Sequence, residues 1–467
     1  MTIEATLARG VGVEADVEVF DSARAPADPG AVETLRRGVA GADLAAPAVA
    51  LPDFHLKRDK EMPSSIAVAT RGTIRPTLTS ASLNCGMALV ALDADRPSTG
   101  ATTDFFRRVR DRYPYPPSYR RDLTASEVVR CAAEGSRFAV DRFGVSPSEL
   151  EQVEEGGRLD VERYGGVARV RRELPWSVLQ LSRIRFGTIG PSNHFIELQE
   201  VEEVFDPDAA ARLGLHAGQV TLQYHGGGGS LPGELGVLFG RRKRYPLAVR
   251  VQMALQKPLY HLGRARSMRE LRLRRRLYFS RACPPVDRDG PEGERLLLAA
   301  AMAMNYGFAF RLSTYASLRA LARTSFGAVE SHLVVDSPHN TIYEEQVDGA
   351  TALVHRHNAC RAYPGQTLLL PGTNRTSSYV CAAGEGAHRS LYSACHGAGT
   401  TIGAFERLGL SRLDQRGRIT QRYDYRGAGP VAVPQLDDRG IDETMRILSA
   451  QDIVRPVVRL RPFAVLN

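Results

Sequence analysis

The chain has 467 residues, 43% of them hydrophobic and 24% charged, with six scattered cysteines and no CxxC pair, which excludes a disordered chain and a disulfide framework. No uninterrupted apolar run reaches the roughly 18 residues of a membrane span, and acids stand where a secretory leader would carry its basic flank, so no membrane partner and a cytoplasmic location are expected. The net charge is +9, and only four of the 61 basic residues are lysines (Lys57, Lys60, Lys243, Lys257), so the positive charge is nearly all arginine, a side chain suited to phosphate.

In chain order, residues 1–50 read as a strand-forming start and then a short helix near "AVETLRRGVAG". Short apolar runs bounded by turn residues signal strands: "SSIAVAT", "MALVALDA", "VTLQY", "SHLVVD", "TALVH", "TLLLPG" and "SYVCAA". "TASEVVRCAAEGSRFAVDRFG" opens on a capping box, Thr124 to Glu127, and closes at Gly144, predicting one helix. Residues 240–277 are the most basic part of the chain and form either a solvated face or one that tracks phosphates. A long apolar stretch from "GPEGERLLL" to Gly327 predicts an interior helix on which sheets pack. Helices and strands do not alternate as βαβ units, so the expected class is α+β, in one domain spanning 1–467 with no clear linker.

The candidates for chemistry recur in one setting, and each histidine taken alone also reads as a hydrogen-bonded structural residue. His194 ("GTIGPSNHFIELQ"), His225 ("TLQYHGGGGS"), His339 ("VVDSPHNTIYEE") and His396 ("SACHGAGT") each abut Gly, Asn or Pro at the end of an apolar run. Strand ends beside tight turns are where sites are built. Cys85, in "TSASLNCGMALV", is a core sulfur, a nucleophile or a metal ligand on the same grounds; thiolate and imidazole together favour transition metals. "HGGGGS" and "CHGAG" expose backbone N–H groups as phosphate loops do, and also read as plain turns; no Walker loop is present. With no lysine nucleophile motif, a covalently carried nucleotidyl group would have to sit on a histidine such as His396.

Eight segments, "LPDFHL", "NCG", "GTIGPSNHFIELQ", "HGGGGS", "HN", "PGTNRTSSYV", "SACHGAG" and "VVRLRPFAVLN", occur in the order and approximate spacing of the RtcB-type RNA-splicing ligases, which the chain resembles over nearly its whole length. The resemblance implies mixed β-sheets packed with helices around a central metal and nucleotide cleft. It also implies a manganese- and GTP-dependent ligase joining RNA 3′-phosphate or 2′,3′-cyclic phosphate ends to 5′-hydroxyl ends, in RNA repair or tRNA splicing, sometimes with an accessory activator protein. Carried over residue by residue, His396 is the nucleophile that forms a histidine–GMP intermediate. Cys85, His194, His225 and His339 are metal ligands, and Asn193, Phe195, Glu197, Ser378, Ala398 and Gly399 line the GTP pocket.

Four positions depart from the family pattern. Ser82 replaces a metal-binding aspartate, leaving a softer ligand set that leans towards Zn2+ or iron over Mn2+, or towards one occupied site. Gly229 and Thr400 replace arginines, and Asn467 replaces a lysine near the guanine. Arg375 and the basic region 240–277 are the candidates to resupply that charge. The departures leave two alternatives beside full ligation: guanylylation of 3′-phosphate ends without joining, and a catalytically weak RNA-binding protein.

Overall fold

The computed structural model describes residues 16–58, 60–78, 82–115, 119–190, 193–239, 244, 247–280, 283–427 and 429–467. The expected strand-forming start lies outside the described residues over 1–15; the strand Val17–Val19 and the helix Pro29–Val39 come directly after it. All seven apolar runs form strands, from Ser64–Thr70 to Ser378–Ala383.

The main sheet has nine strands. Seven of them run Thr367–Leu370, Ser378–Ala383, Val454–Leu466, Phe195–Val204, Val220–Gly226, Gly86–Leu92 and Ser331–Pro338, each antiparallel to the next, while Ile419–Tyr423 pairs parallel with Val454–Leu466 and antiparallel with Val431–Pro434. The strand latest in the sequence thus sits inside the sheet, between two much earlier ones. A second sheet orders Val17–Val19, Ala48–His55, Ser64–Thr70, Ala350–His357 and Asn340–Val347. A two-stranded ribbon joins Ala359–Arg361 to Ser393–Cys395. Antiparallel neighbours with helices set apart from them make this an α+β fold, as the absence of βαβ alternation implies.

The largest apolar cluster is built around the helix Pro291–Phe326, which lies buried from Leu296 to Tyr315. By length and composition it could cross a membrane, but its apolar stretch is wholly inside the protein, so its hydrophobicity serves a core. The segment 124–144 departs from the single helix expected of it. Its capping box and its left-handed Gly144 cap form, yet it breaks at Gly135 into Ala125–Glu134 and Ser136–Phe143. Gly135 has φ 58°, and a Cβ there would lie 2.3 Å from the Gly157 carbonyl oxygen, so the close approach of that loop decides the break. The basic region forms the helices Leu247–His261 and Met268–Phe279, with 240–243 and 245–246 outside the described residues.

Candidate metal and nucleotide centre

The four candidate ligands stand at the ends of adjacent strands of the main sheet. Register pairs Phe195 with His225 and His225 with Met87, while Gly86 faces Pro338; Cys85, His194 and His339 are the flanking residues of those same rows. Side chains at matched rows of neighbouring strands lie about 5 Å apart, so four distant sequence segments deliver their ligands to one spot. His339 also links the two sheets, lying between Ser331–Pro338 of the main sheet and Asn340–Val347 of the second.

The ligand atoms converge. Cys85 Sγ is 3.2 Å from His225 Nε2 and 3.6 Å from His194 Nε2. One ligand atom each from Cys85, His225 and His339 lie within 4.8 Å of one another, all three residues being buried. His225 Nδ1 donates to the Asn193 carbonyl at 2.8 Å, which fixes the tautomer and aims Nε2 at the sulfur. The His339 Nδ1 is buried without a hydrogen-bond partner among the described residues, a nitrogen left for something other than protein. Burial pushes the Cys85 thiol up to about 11, Arg311 acting against it, and lowers all three imidazoles, so each histidine is neutral and able to ligate. A buried thiol beside neutral imidazoles fits a soft or borderline divalent cation, whose charge would hold the sulfur as thiolate.

His396 joins this group from the ribbon. Its ring centroid is 4.4 Å from that of His339, its Nδ1 is also buried without a partner among the described residues, and burial lowers it to about 3. Two buried groups hold the segment. Arg356 donates from Nε to Ser393 Oγ at 2.8 Å and pairs with Glu345, which anchors the strand preceding His396. After His396, Asp53 accepts the backbone N–H groups of Thr400 and Thr401 at 2.6 and 3.2 Å, capping the helix Gly399–Arg407. Asp53 belongs to "LPDFHL", where no local feature assigns it a role; only the fold brings positions 53 and 400 together.

The candidate nucleotide residues divide. Glu197 and Ser378 are joined through Gln199, whose Nε2 donates to Glu197 Oε1 at 2.7 Å and lies 3.3 Å from Ser378 Oγ. Burial raises the Glu197 carboxyl to about 8. Phe195 is half-buried with its ring 5.9 Å from that of His225, and Asn193 enters through its carbonyl. Ala398 is the N-cap and Gly399 the first residue of the helix that follows His396, and a Cβ on Gly399 would meet open space.

Each departure from the family pattern has a local setting. The Ser82 carbonyl accepts the Cys85 N–H at 3.2 Å. Gly229 has φ 79°, and a Cβ there would stand 2.8 Å from ring carbons of both Phe310 and Tyr306, so aromatic rings occupy the space an arginine would need. Thr400 Oγ1 is 3.2 Å from His55 Nδ1. Asn467 Oδ1 accepts from Arg422 Nε at 3.0 Å, which returns a guanidinium to the end that lacks the family's lysine. Arg375 does not resupply charge to the centre: it pairs with Glu406 at 2.6 Å and donates to the Pro434 carbonyl.

The residue that sequence reasoning missed is Arg311, fully buried in the long helix. It donates to Asp336 at 2.9 and 3.0 Å, and to Asn84 through both the backbone and side-chain oxygens at 2.6 and 2.8 Å. Asn84 has φ 56°, so Arg311 holds the strained turn that presents Cys85. The signal available was an arginine set between apolar residues in the middle of a long apolar helix, a charge that must be paired when buried.

Comparison with known proteins gives the family. Residues 37–467 match the family model described as tRNA-splicing ligase RtcB. A tRNA-splicing ligase RtcB of Thermococcus kodakarensis is 27% identical over 429 residues, 85% of this chain and 82% of that protein. The RNA-splicing ligase RtcB of Mycobacterium tuberculosis is 28% identical over 445 residues, 88% of this chain and 95% of its own length. A tRNA-splicing ligase RtcB of Pyrococcus horikoshii is 28% identical over 363 residues, of whose length the chain spans 38%. With cysteine and histidines of the family's motifs converging at one sheet end and the family model matched from residue 37 onward, this chain belongs to the RtcB family.

Proposed function

We propose that the chain is an RNA ligase that joins RNA 3′-phosphate or 2′,3′-cyclic phosphate ends to 5′-hydroxyl ends, using GTP and a divalent metal held by Cys85, His225 and His339. The observation that carries the reading is the neutral, buried imidazole of His396 against His339, its Nδ1 unpartnered among the described residues. A bound cation would neutralise charge on phosphoryl oxygens and fix in-line geometry. In this reading an imidazole nitrogen of His396 attacks the α-phosphorus of GTP and pyrophosphate leaves. Water first opens a cyclic end by displacing the 2′-oxygen, the RNA 3′-phosphate then takes the guanylyl group from His396, and the 5′-hydroxyl displaces GMP. The ribbon and the Asp53-capped helix keep the ring in place through both transfers. Glu197 as carboxylate accepts from guanine N1–H and the exocyclic amine, which adenine lacks. Mn2+ is the family's metal, and the thiolate–imidazole set with Ser82 in place of aspartate suits Zn2+ as well. Some family members also work with an accessory activator.

The test is retention of label. Wild-type protein incubated with α-labelled GTP and metal, then denatured, keeps label on the chain, and His396→Ala does not. No label under Mn2+, Zn2+ or other divalent cations would overturn the reading. A second reading, guanylylation of 3′-phosphate ends without joining, draws on the aromatic filling at Gly229; guanylylated RNA accumulating without joined product in the same assay would favour it.

A further inference from the structure

Away from the centre, a cleft of about 1100 Å3 lies between the helices Gly166–Glu173 and Met268–Phe279 and the start of the long helix. Seven arginines line it against four carboxylates. The carboxylates of its floor are already used. Glu292 holds Arg274 and Arg295 at 2.8 and 2.9 Å, Glu173 holds Arg295 at 3.3 Å, and Glu270 holds Arg274. Arg172, Arg266 and Arg269 on the rim are exposed, and their side chains meet no carboxylate among the described residues. The buried pairs keep the floor rigid and nearly neutral, while the rim carries uncompensated guanidinium groups.

We propose that this cleft binds the phosphodiester backbone of the RNA some distance from the reacting end. The inference rests on the ligase reading above and adds to it a second contact surface. Guanidinium groups pair bidentately with phosphate, and a run of phosphates is the polyanion whose other end the centre is built to take. The spacing fits. Arg295 lies 9 to 16 residues along the long helix from Met304 and Arg311, which contact Asn84 at the centre. At 1.5 Å per residue that is about 14–24 Å, roughly four to seven nucleotides at about 3.4 Å each.

The experiment measures binding, without GTP, of a 12-nucleotide RNA with 5′-hydroxyl and 3′-phosphate ends and of a trinucleotide with the same ends. Wild type is compared with an Arg172→Gln/Arg266→Gln/Arg269→Gln variant and with the corresponding Lys variant. The 12-mer binds wild type more tightly than the trinucleotide. In the Gln variant that advantage is lost, and the slope of log affinity against log salt falls by about 2, at about 0.7 per phosphate contact. The Lys variant keeps most of the slope, and melting temperature and metal content stay those of wild type in both. Equal 12-mer affinity and slope in wild type and the Gln variant would overturn the cleft assignment and leave the ligase reading standing. Cleft-dependent binding, with no joined product when GTP and Mn2+ or Zn2+ are then added, would support the cleft and overturn the ligase reading. Failure of wild type to bind either RNA would overturn both. Tighter binding of polyglutamate than of RNA, lost in the Gln variant, would overturn the RNA assignment in favour of an acidic protein.

Discussion

Restoring the family's arginine at position 229 should damage this protein. Gly229 has φ 79°, where an L side chain costs about 1–2 kcal/mol. Its missing Cβ would also sit 2.8 Å from ring carbons of Phe310 and Tyr306, both buried in the helix that forms the core. Overpacking of that kind costs about 1–3 kcal/mol, so Gly229→Ala should destabilise by about 2–5 kcal/mol in all. Gly229→Arg should lose at least as much. Equilibrium unfolding by urea measures this, read by circular dichroism on wild type, Gly229→Ala, Phe310→Leu and the double variant. Removing the ring edge relieves the contact, so the double variant should be more stable than the sum of the single losses by about 1–3 kcal/mol. Gly229→Ala within about 0.5 kcal/mol of wild type would refute the reasoning. So would Gly229→Arg that gains joining activity without loss of stability.

Four other outcomes are expected. Ser82→Asp adds a carboxylate on the turn that leads into Cys85 and should raise bound Mn2+, by elemental analysis, by about one ion per chain; unchanged content would show that the site does not admit a second ion. Glu197, raised to about 8 by burial, holds in the folded chain a proton that its unfolded form releases near pH 4.3. Stability therefore falls as pH climbs between roughly 4 and 8, by up to about 1.4 kcal/mol per pH unit, and Glu197→Gln should flatten that profile; parallel profiles would refute the assignment. GTP binding near pH 7 should likewise release about one proton, seen by calorimetry in buffers of different ionisation enthalpy. Arg311→Met strands the buried Asp336 and should cost about 3–5 kcal/mol, whereas Arg311→Met/Asp336→Leu recovers stability without recovering metal affinity, because Asn84 stays unsupported; full recovery of metal content in the double variant would refute the role given to Arg311.

Seven strands were legible because each is a short apolar run with turn residues at both ends, and burial left little alternation to misread, whereas Phe195–Val204 and Val454–Leu466, broken by charged residues, were not read as strands. The ligands were legible through their motifs, each a polar residue at the end of such a run. Their convergence was not, because it depends on register between segments as distant as 85 and 339. The break at Gly135 was hidden for the same reason: its cause is a loop at Gly157, not its own neighbours. Asp53 and Arg311 carry no local mark of their partners. The fate of the missing charge at Gly229 was equally invisible, since it turns on rings some eighty residues away in the core helix.

The place of Val454–Leu466 in the main sheet bears on how the chain folds during synthesis. Until that segment emerges, Phe195–Val204 and Ser378–Ala383 each keep an unpaired edge, an invitation to other chains. Every candidate ligand precedes it, so a nascent chain can carry the full cysteine and histidine set while its central sheet is still split in two. Closing that gap requires contacts between residues more than two hundred positions apart, a slow, non-local step. The half that presents Cys85, His194, His225 and His339 pairs within itself, but its outer edge stays open until Val454–Leu466 docks, so the yield in the cell should depend on chaperones that shield the open edges during translation.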